Sequence, residues 1–84
     1  MDGRIKVYGN SWCPDSRRAR KIFESMGCDY DFIDVDKDEA AKKLVKEINH
    51  GYCSVPTILF PDGSTLTEPK NQTLEEKIKS LSGV

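Results

Sequence analysis

The sequence predicts an α/β fold in the order βαβαββα, with a four-stranded mixed sheet flanked by helices. Apolar and polar residues alternate in Arg4-Ile5-Lys6-Val7-Tyr8, a five-residue strand pattern, and a helical stripe follows at Ala19, Ile22, Phe23 and Met26. A second strand over residues 30–35 then completes a strand, helix, strand run, which implies a right-handed crossover between parallel neighbours. Near the end, Pro61-Asp62-Gly63 is a turn by composition, so two short strands should fold back on each other there.

Taken in order, the first helix begins at Pro14, where a missing N–H costs nothing, and stops at Gly27. Asp36-Lys37-Asp38-Glu39 reads as a capping box with Asp36 as N-cap and Glu39 three residues on. The helix it opens carries Ala41, Leu44, Val45 and Ile48 on one face and closes at Asn49-His50-Gly51, where His50 reads as a solvated terminal residue. Residues 55–60 form the third strand, with Pro56 near its start, and residues 64–67 the antiparallel fourth. A last helix starts at Thr73, with Glu76 completing its cap, and buries Leu74, Ile78 and Leu81.

The 84 residues suffice for one domain with its own core, and show no repeats or low-complexity segments. A formal net charge of −1, with both signs interspersed, supplies no field for nucleic acid or an anionic membrane. No signal-peptide pattern or bilayer-length apolar run is present, so the expected location is cytoplasmic and the expected state a monomer. Cys13, Cys28 and Cys53 cannot all pair within one chain and lack the paired spacings of a zinc site; no metal ligands are expected.

Chemistry concentrates at Tyr8-Gly9-Asn10-Ser11-Trp12-Cys13-Pro14-Asp15-Ser16. Cys13 falls where a strand hands over to a helix and is the expected N-cap. The first-turn N–H groups and the positive end of the helix dipole then favour thiolate over thiol, and thiolate is the species that attacks a disulfide. Asp15 opposes that charge, and Arg17 and Arg18 offset Asp15. The Ser16 hydroxyl is expected to donate a hydrogen bond to the sulfur. Cys28 lies a whole helix away, on the order of 20 Å at 1.5 Å per residue, beyond disulfide reach. Cys53, three residues before Pro56, is the one cysteine that could approach Cys13.

Cys13-Pro14-Asp15-Ser16 after a first strand, then Ser54-Val55-Pro56-Thr57 opening the third, within βαβαββα, resembles the glutaredoxin branch of the thioredoxin-like fold. Ser11-Trp12-Cys13 and the run from Asp62 to Thr67 followed by Pro69 are most similar to mycoredoxin-like small redoxins, and the resemblance spans residues 4–81. It implies a thiol–disulfide oxidoreductase with Cys13 as nucleophile, Pro56 as a cis-proline beside it, and Val55 pairing its backbone with a bound small thiol.

The resemblance brings a co-substrate such as glutathione or mycothiol, protein mixed disulfides as partners, and no permanently bound cofactor. Three departures stand out. Ser16 occupies the resolving position of dithiol relatives, so a monothiol route is implied. Asn10 replaces a lysine that contacts glutathione in many relatives. Glu68-Pro69-Lys70-Asn71-Gln72 replaces a glycine pair, leaving Lys70 and Asn71 as candidate contacts together with Asn10, Trp12, Pro14 and Asp15. Three alternatives remain at this point: an iron–sulfur-binding monothiol glutaredoxin, a dithiol redoxin in which Ser16 stands in for a cysteine, and a non-enzymatic adaptor that keeps the fold and binds a partner through the groove.

Overall fold

The computed structural model describes residues 4–81. Its elements are β1 (Ile5–Gly9), α1 (Pro14–Ser25), β2 (Tyr30–Asp34), α2 (Glu39–Ile48), β3 (Thr57–Leu59), β4 (Thr65–Thr67) and α3 (Asn71–Leu81). The order is the expected βαβαββα, in one sheet of strand order β2-β1-β3-β4. β1 runs parallel to β2, with Gly9 opposite Asp34, and antiparallel to β3, with Tyr8 opposite Thr57. β4 returns antiparallel to β3, placing Thr67 opposite Thr57.

Alternation along β1 divides the apolar residues between the two faces of the sheet. Ile5 and Val7 join Ala19, Ile22 and Phe23 of α1 and Leu74 and Ile78 of α3 in one cluster, completed by Ile58 and Phe60. Tyr8 turns the other way and packs with Val35, Ala41 and Val45 under α2. Both helical stripes read from the sequence therefore cover the sheet. Cys28 lies at the rim of the first cluster and Cys53 at the rim of the second.

Several boundaries move, each for a local reason. α1 closes on Gly27, whose φ of 65° allows its N–H to reach Glu24 O and the Cys28 N–H to reach Phe23 O, a Schellman closure. Asp36 is not the N-cap of α2: its own N–H is held by Asp34 Oδ1 at 2.9 Å, and the chain is still turning at Lys37. Asp38 caps the helix instead, accepting from the Ala41 N–H at 3.0 Å.

β3 is shorter than residues 55–60 because Pro56 has no N–H to give a ladder and Phe60 is engaged in the hairpin turn, its N–H on Ser64 O at 2.9 Å. Ser64 is captured by Asp62 and so precedes β4. α3 begins two residues ahead of the expected Thr73, with the Lys70 carbonyl accepting from the Leu74 N–H at 3.0 Å.

One close approach sets the seat of α1 on the sheet. Ser16 is fully buried against the end of β1, and a Cβ on Gly9 would lie 2.5 Å from Ser16 Oγ and 3.0 Å from Ser16 Cβ. Only glycine fits there without displacing the helix. Gly9→Ala is expected to destabilise the protein by about 1–3 kcal/mol. Ser16→Ala in that background should recover part of the loss in urea unfolding; equal stability of Gly9→Ala and wild type would refute the contact. The shifted cap gives a second test. Asp38→Ala is expected to cost about 1 kcal/mol, whereas Asp36→Ala should stay within about 0.5 kcal/mol of wild type.

Candidate active site

Because β1 and β2 are parallel and β3 is antiparallel to β1, the chain leaves β1 and β2 and enters β3 at the same end of the sheet. Three loops meet there: residues 10–13 after β1, 35–38 after β2 and 52–56 before β3. The loop after β4 reaches the same end, and the Glu68 N–H bonds Pro56 O at 2.8 Å.

Cys13 is the N-cap of α1, with extended backbone (φ −79°, ψ 122°) and Pro14 at the first helical position. The sulfur makes no capping hydrogen bond, and the thiol is half-buried and free, as are Cys28 and Cys53. The Cys13 carbonyl accepts from the Arg17 N–H at 3.1 Å, while the Asp15 and Ser16 N–H groups have no backbone acceptor among the described residues. These are the orphan donors that make a helix start hospitable to negative charge. Asp15 is neutralised locally by Arg18, 2.9 Å away, as the sequence suggested.

Ser16 does not face the sulfur. Its side chain is turned toward β1, where Oγ accepts from the Asn10 N–H at 3.5 Å, and no hydrogen bond joins it to Cys13. The reason is the notch at Gly9, which accepts a small buried side chain from the helix. The same contact draws Asn10 inward: it is 4% exposed, away from the surface a bound thiol would touch, and its Oδ1 finds no donor among the described residues. Trp12, in contrast, is 69% exposed, with its indole N–H donating to Asp36 Oδ2 at 3.0 Å.

The Val55–Pro56 bond is cis, and the Pro56 ring is buried. The Val55 amide and carbonyl make no hydrogen bond among the described residues, which leaves both free to pair with another backbone. Lys70 and Asn71 are exposed at the start of α3.

A residue that sequence reasoning treated only as a helix end organises this side of the site. Asn49 Nδ2 donates to Val45 O at 2.9 Å and to Thr57 Oγ1 at 3.0 Å, and its Oδ1 accepts from Thr67 Oγ1 at 2.7 Å. Thr57 Oγ1 in turn donates to Ser54 O at 2.6 Å, fixing the loop that carries Val55 and Pro56. The available signal was an amide at a helix terminus just before the Val-Pro segment, where a side chain can satisfy a closing carbonyl.

Cys28 sits at the far end of α1 from Cys13. Burial pushes its thiol up, and the neighbouring Asp29 carboxylate adds to the effect. Cys53 is half-buried at the rim of the α2-side cluster, unpaired.

Comparison with known proteins places this geometry. The glutaredoxin family model matches residues 5–64. Mycoredoxin 1 of Corynebacterium glutamicum is 38% identical over 78 residues, covering 93% of this chain and 96% of that protein. Among solved structures, the glutaredoxin grx-1 of Archaeoglobus fulgidus aligns with a TM-score of 0.75 at 27% identity, over 93% of this chain and 88% of the other. The thioredoxin-like protein BC3987 aligns with a TM-score of 0.76 at 26% identity, over 87% and 97%. A cysteine at the N-cap position of α1, a cis-proline just before β3 and these matches along the chain agree: the chain belongs to the glutaredoxin family and is a thiol–disulfide oxidoreductase.

Proposed function

We propose that this redoxin works through one sulfur, with Cys13 reducing mixed disulfides between proteins and a low-molecular-weight thiol. The observation that carries this reading is the contrast between residues 13 and 16. A half-buried thiol stands at the N-cap position of the helix, and one turn on the resolving position holds a fully buried hydroxyl that cannot form a disulfide. The remaining thiols sit at the rims of the two cores.

In the first step the Cys13 thiolate attacks the small-thiol sulfur of the mixed disulfide. A Cys13–small-thiol bond forms, and the protein sulfur leaves with the electron pair and takes a proton from water. A second small thiol, as thiolate, then attacks the small-thiol sulfur of the adduct and releases Cys13 as thiolate. The net exchange converts one mixed disulfide and one small thiol into a protein thiol and a symmetrical small-molecule disulfide. Glutathione, mycothiol or a thiol of similar size fits this role.

The free amide and carbonyl of Val55 support the reading, since they can take the backbone of the bound thiol as an added strand. The unpaired Asp15 and Ser16 N–H groups support it too, because free donors in the first turn of a helix favour negative charge at its N-terminus, where Cys13 stands. Pro14 and Asp15 border the thiol on its helix side, while Lys70 and Asn71, exposed at the start of α3, are proposed contacts for the small thiol's polar groups. Asn10 is left out of the proposed contact set because it is buried.

Reduced protein mixed with a reporter peptide disulfide-linked to each of several small thiols should gain the small-thiol mass on Cys13 and release free peptide. Cys13→Ser should return release to the uncatalysed rate, and wild-type turnover by that variant would refute the assignment. Thiol mapping provides a pH test. The raised Cys28 thiol holds less thiolate at a given pH than a free cysteine, so its iodoacetamide labelling should require more alkaline solution than that of a cysteine-containing control peptide. Labelling of Cys28 at the same pH midpoint as the control would contradict that burial effect.

A further inference from the structure

We infer that Asp36 is a positioning residue: it holds and polarises the Trp12 ring so that the ring receives a cationic side chain next to the disulfide of a polypeptide substrate. The inference rests on the redox reading above and specifies which polypeptides that site prefers.

Trp12 is the chain's only tryptophan and adjoins Cys13, yet 69% of it remains in water. A ring so exposed contributes little to the core, but it is not free to swing, because its N–H is fixed on Asp36 Oδ2 at 3.0 Å. The anchor is itself fixed. The Asp36 N–H bonds Asp34 Oδ1 at 2.9 Å, and the Lys37 N–H bonds Asp34 O at 3.1 Å. Asp34 is opposite Gly9 in the sheet, and the Val35 N–H bonds Gly9 O at 2.9 Å. The loop holding the carboxylate is thus stitched to the strand that leads into Trp12.

Two consequences favour a cation. An anion accepting from the indole N–H pushes electron density into the ring and strengthens the attraction of its face for positive charge. The surroundings add to it: Asp34, Asp36, Asp38 and Glu39 stand against the single Lys37, and none of these four carboxylates has an ion-pair partner among the described residues.

The sheet order specifies a polypeptide. Asp36 follows β2, Cys13 follows β1 and Val55 precedes β3, and the strands lie in the order β2-β1-β3. A mixed disulfide whose small-thiol half pairs with Val55 and whose other half reaches the Trp12 ring must extend past the nucleophile on both sides, and that other half needs the reach of a peptide. A ring oriented before binding also costs little entropy to use.

The test uses two peptides of identical sequence, each carrying a cysteine disulfide-linked to glutathione, with Arg or Glu as the residue beside that cysteine. The wild-type protein should show a KM lower by roughly two- to fivefold for the Arg peptide, with the gap narrowing at high salt. Asp36→Ala should remove the difference, with the loss falling on KM. It should also lower the fluorescence anisotropy of Trp12, which a change elsewhere in the fold would not do with the urea midpoint retained. Asp36→Asn, which keeps an acceptor but not the charge, should restore the anisotropy and only part of the preference. Equal KM values for the two peptides in wild type, or an undiminished preference in Asp36→Ala, would overturn the inference while leaving the redox reading intact. Failure of the wild-type protein to turn over either peptide would overturn both.

Discussion

The antiparallel register of β1 against β3 is the constraint on which the site depends. With Tyr8 opposite Thr57, the residues just after β1 and just before β3 emerge together, and they are the ones carrying Cys13 and Pro56. The parallel pairing of β2 brings a third loop to the same edge, so the nucleophile proposed here lies between an acidic turn and a proline-containing one. Buried apolar contacts on both faces of β1 hold that register, since a slip of one residue would send Val7 and Tyr8 to the wrong clusters.

Against that frame, the first turn of α1 is seated by size alone. Gly9 offers a notch and Ser16 fills it, so the first turn of the helix lies close against the end of the strand. The same seating explains why Asn10 lies inside and Trp12 outside: the Asn10 N–H is drawn to Ser16 Oγ, and the chain then turns outward to reach Asp36. Neighbouring residues of one loop are thereby divided, Asn10 facing the sheet with Ser16 and Trp12 facing solvent with Asp36.

Element types were legible because each carried its own periodicity, and the Pro14 start, the Gly27 stop and the Cys13 cap all follow from local chemistry visible in sequence. What was not legible depended on partners distant in sequence or on competition between nearby acceptors. Asp36 and Asp38 both suit an N-cap; the choice fell to Asp38 because Asp34 had already taken the Asp36 N–H. Ser16 was read as a neighbour of the sulfur since both lie in one turn, but the notch that turns it away belongs to the preceding strand. Asn10 looked like a surface contact by analogy with a lysine, and its burial comes from packing that no local pattern reveals.

Asn49 illustrates a stricter kind of dependence. Its amide nitrogen faces two acceptors and its oxygen one hydroxyl, so the side chain is used as a donor on one side and an acceptor on the other. Neither isostere can stand in: aspartate would oppose an oxygen to the Val45 carbonyl, and leucine would remove all three bonds and with them the link from α2 to Thr57 and Thr67. Deamidation, an ageing reaction of asparagine that gives aspartate or, through a succinimide, an isoaspartate with the main chain rerouted through the side chain, would therefore act here on the fastening of the cis-proline loop, making the wear of a single amide a way to loosen residues 54–57 while the core clusters stay packed.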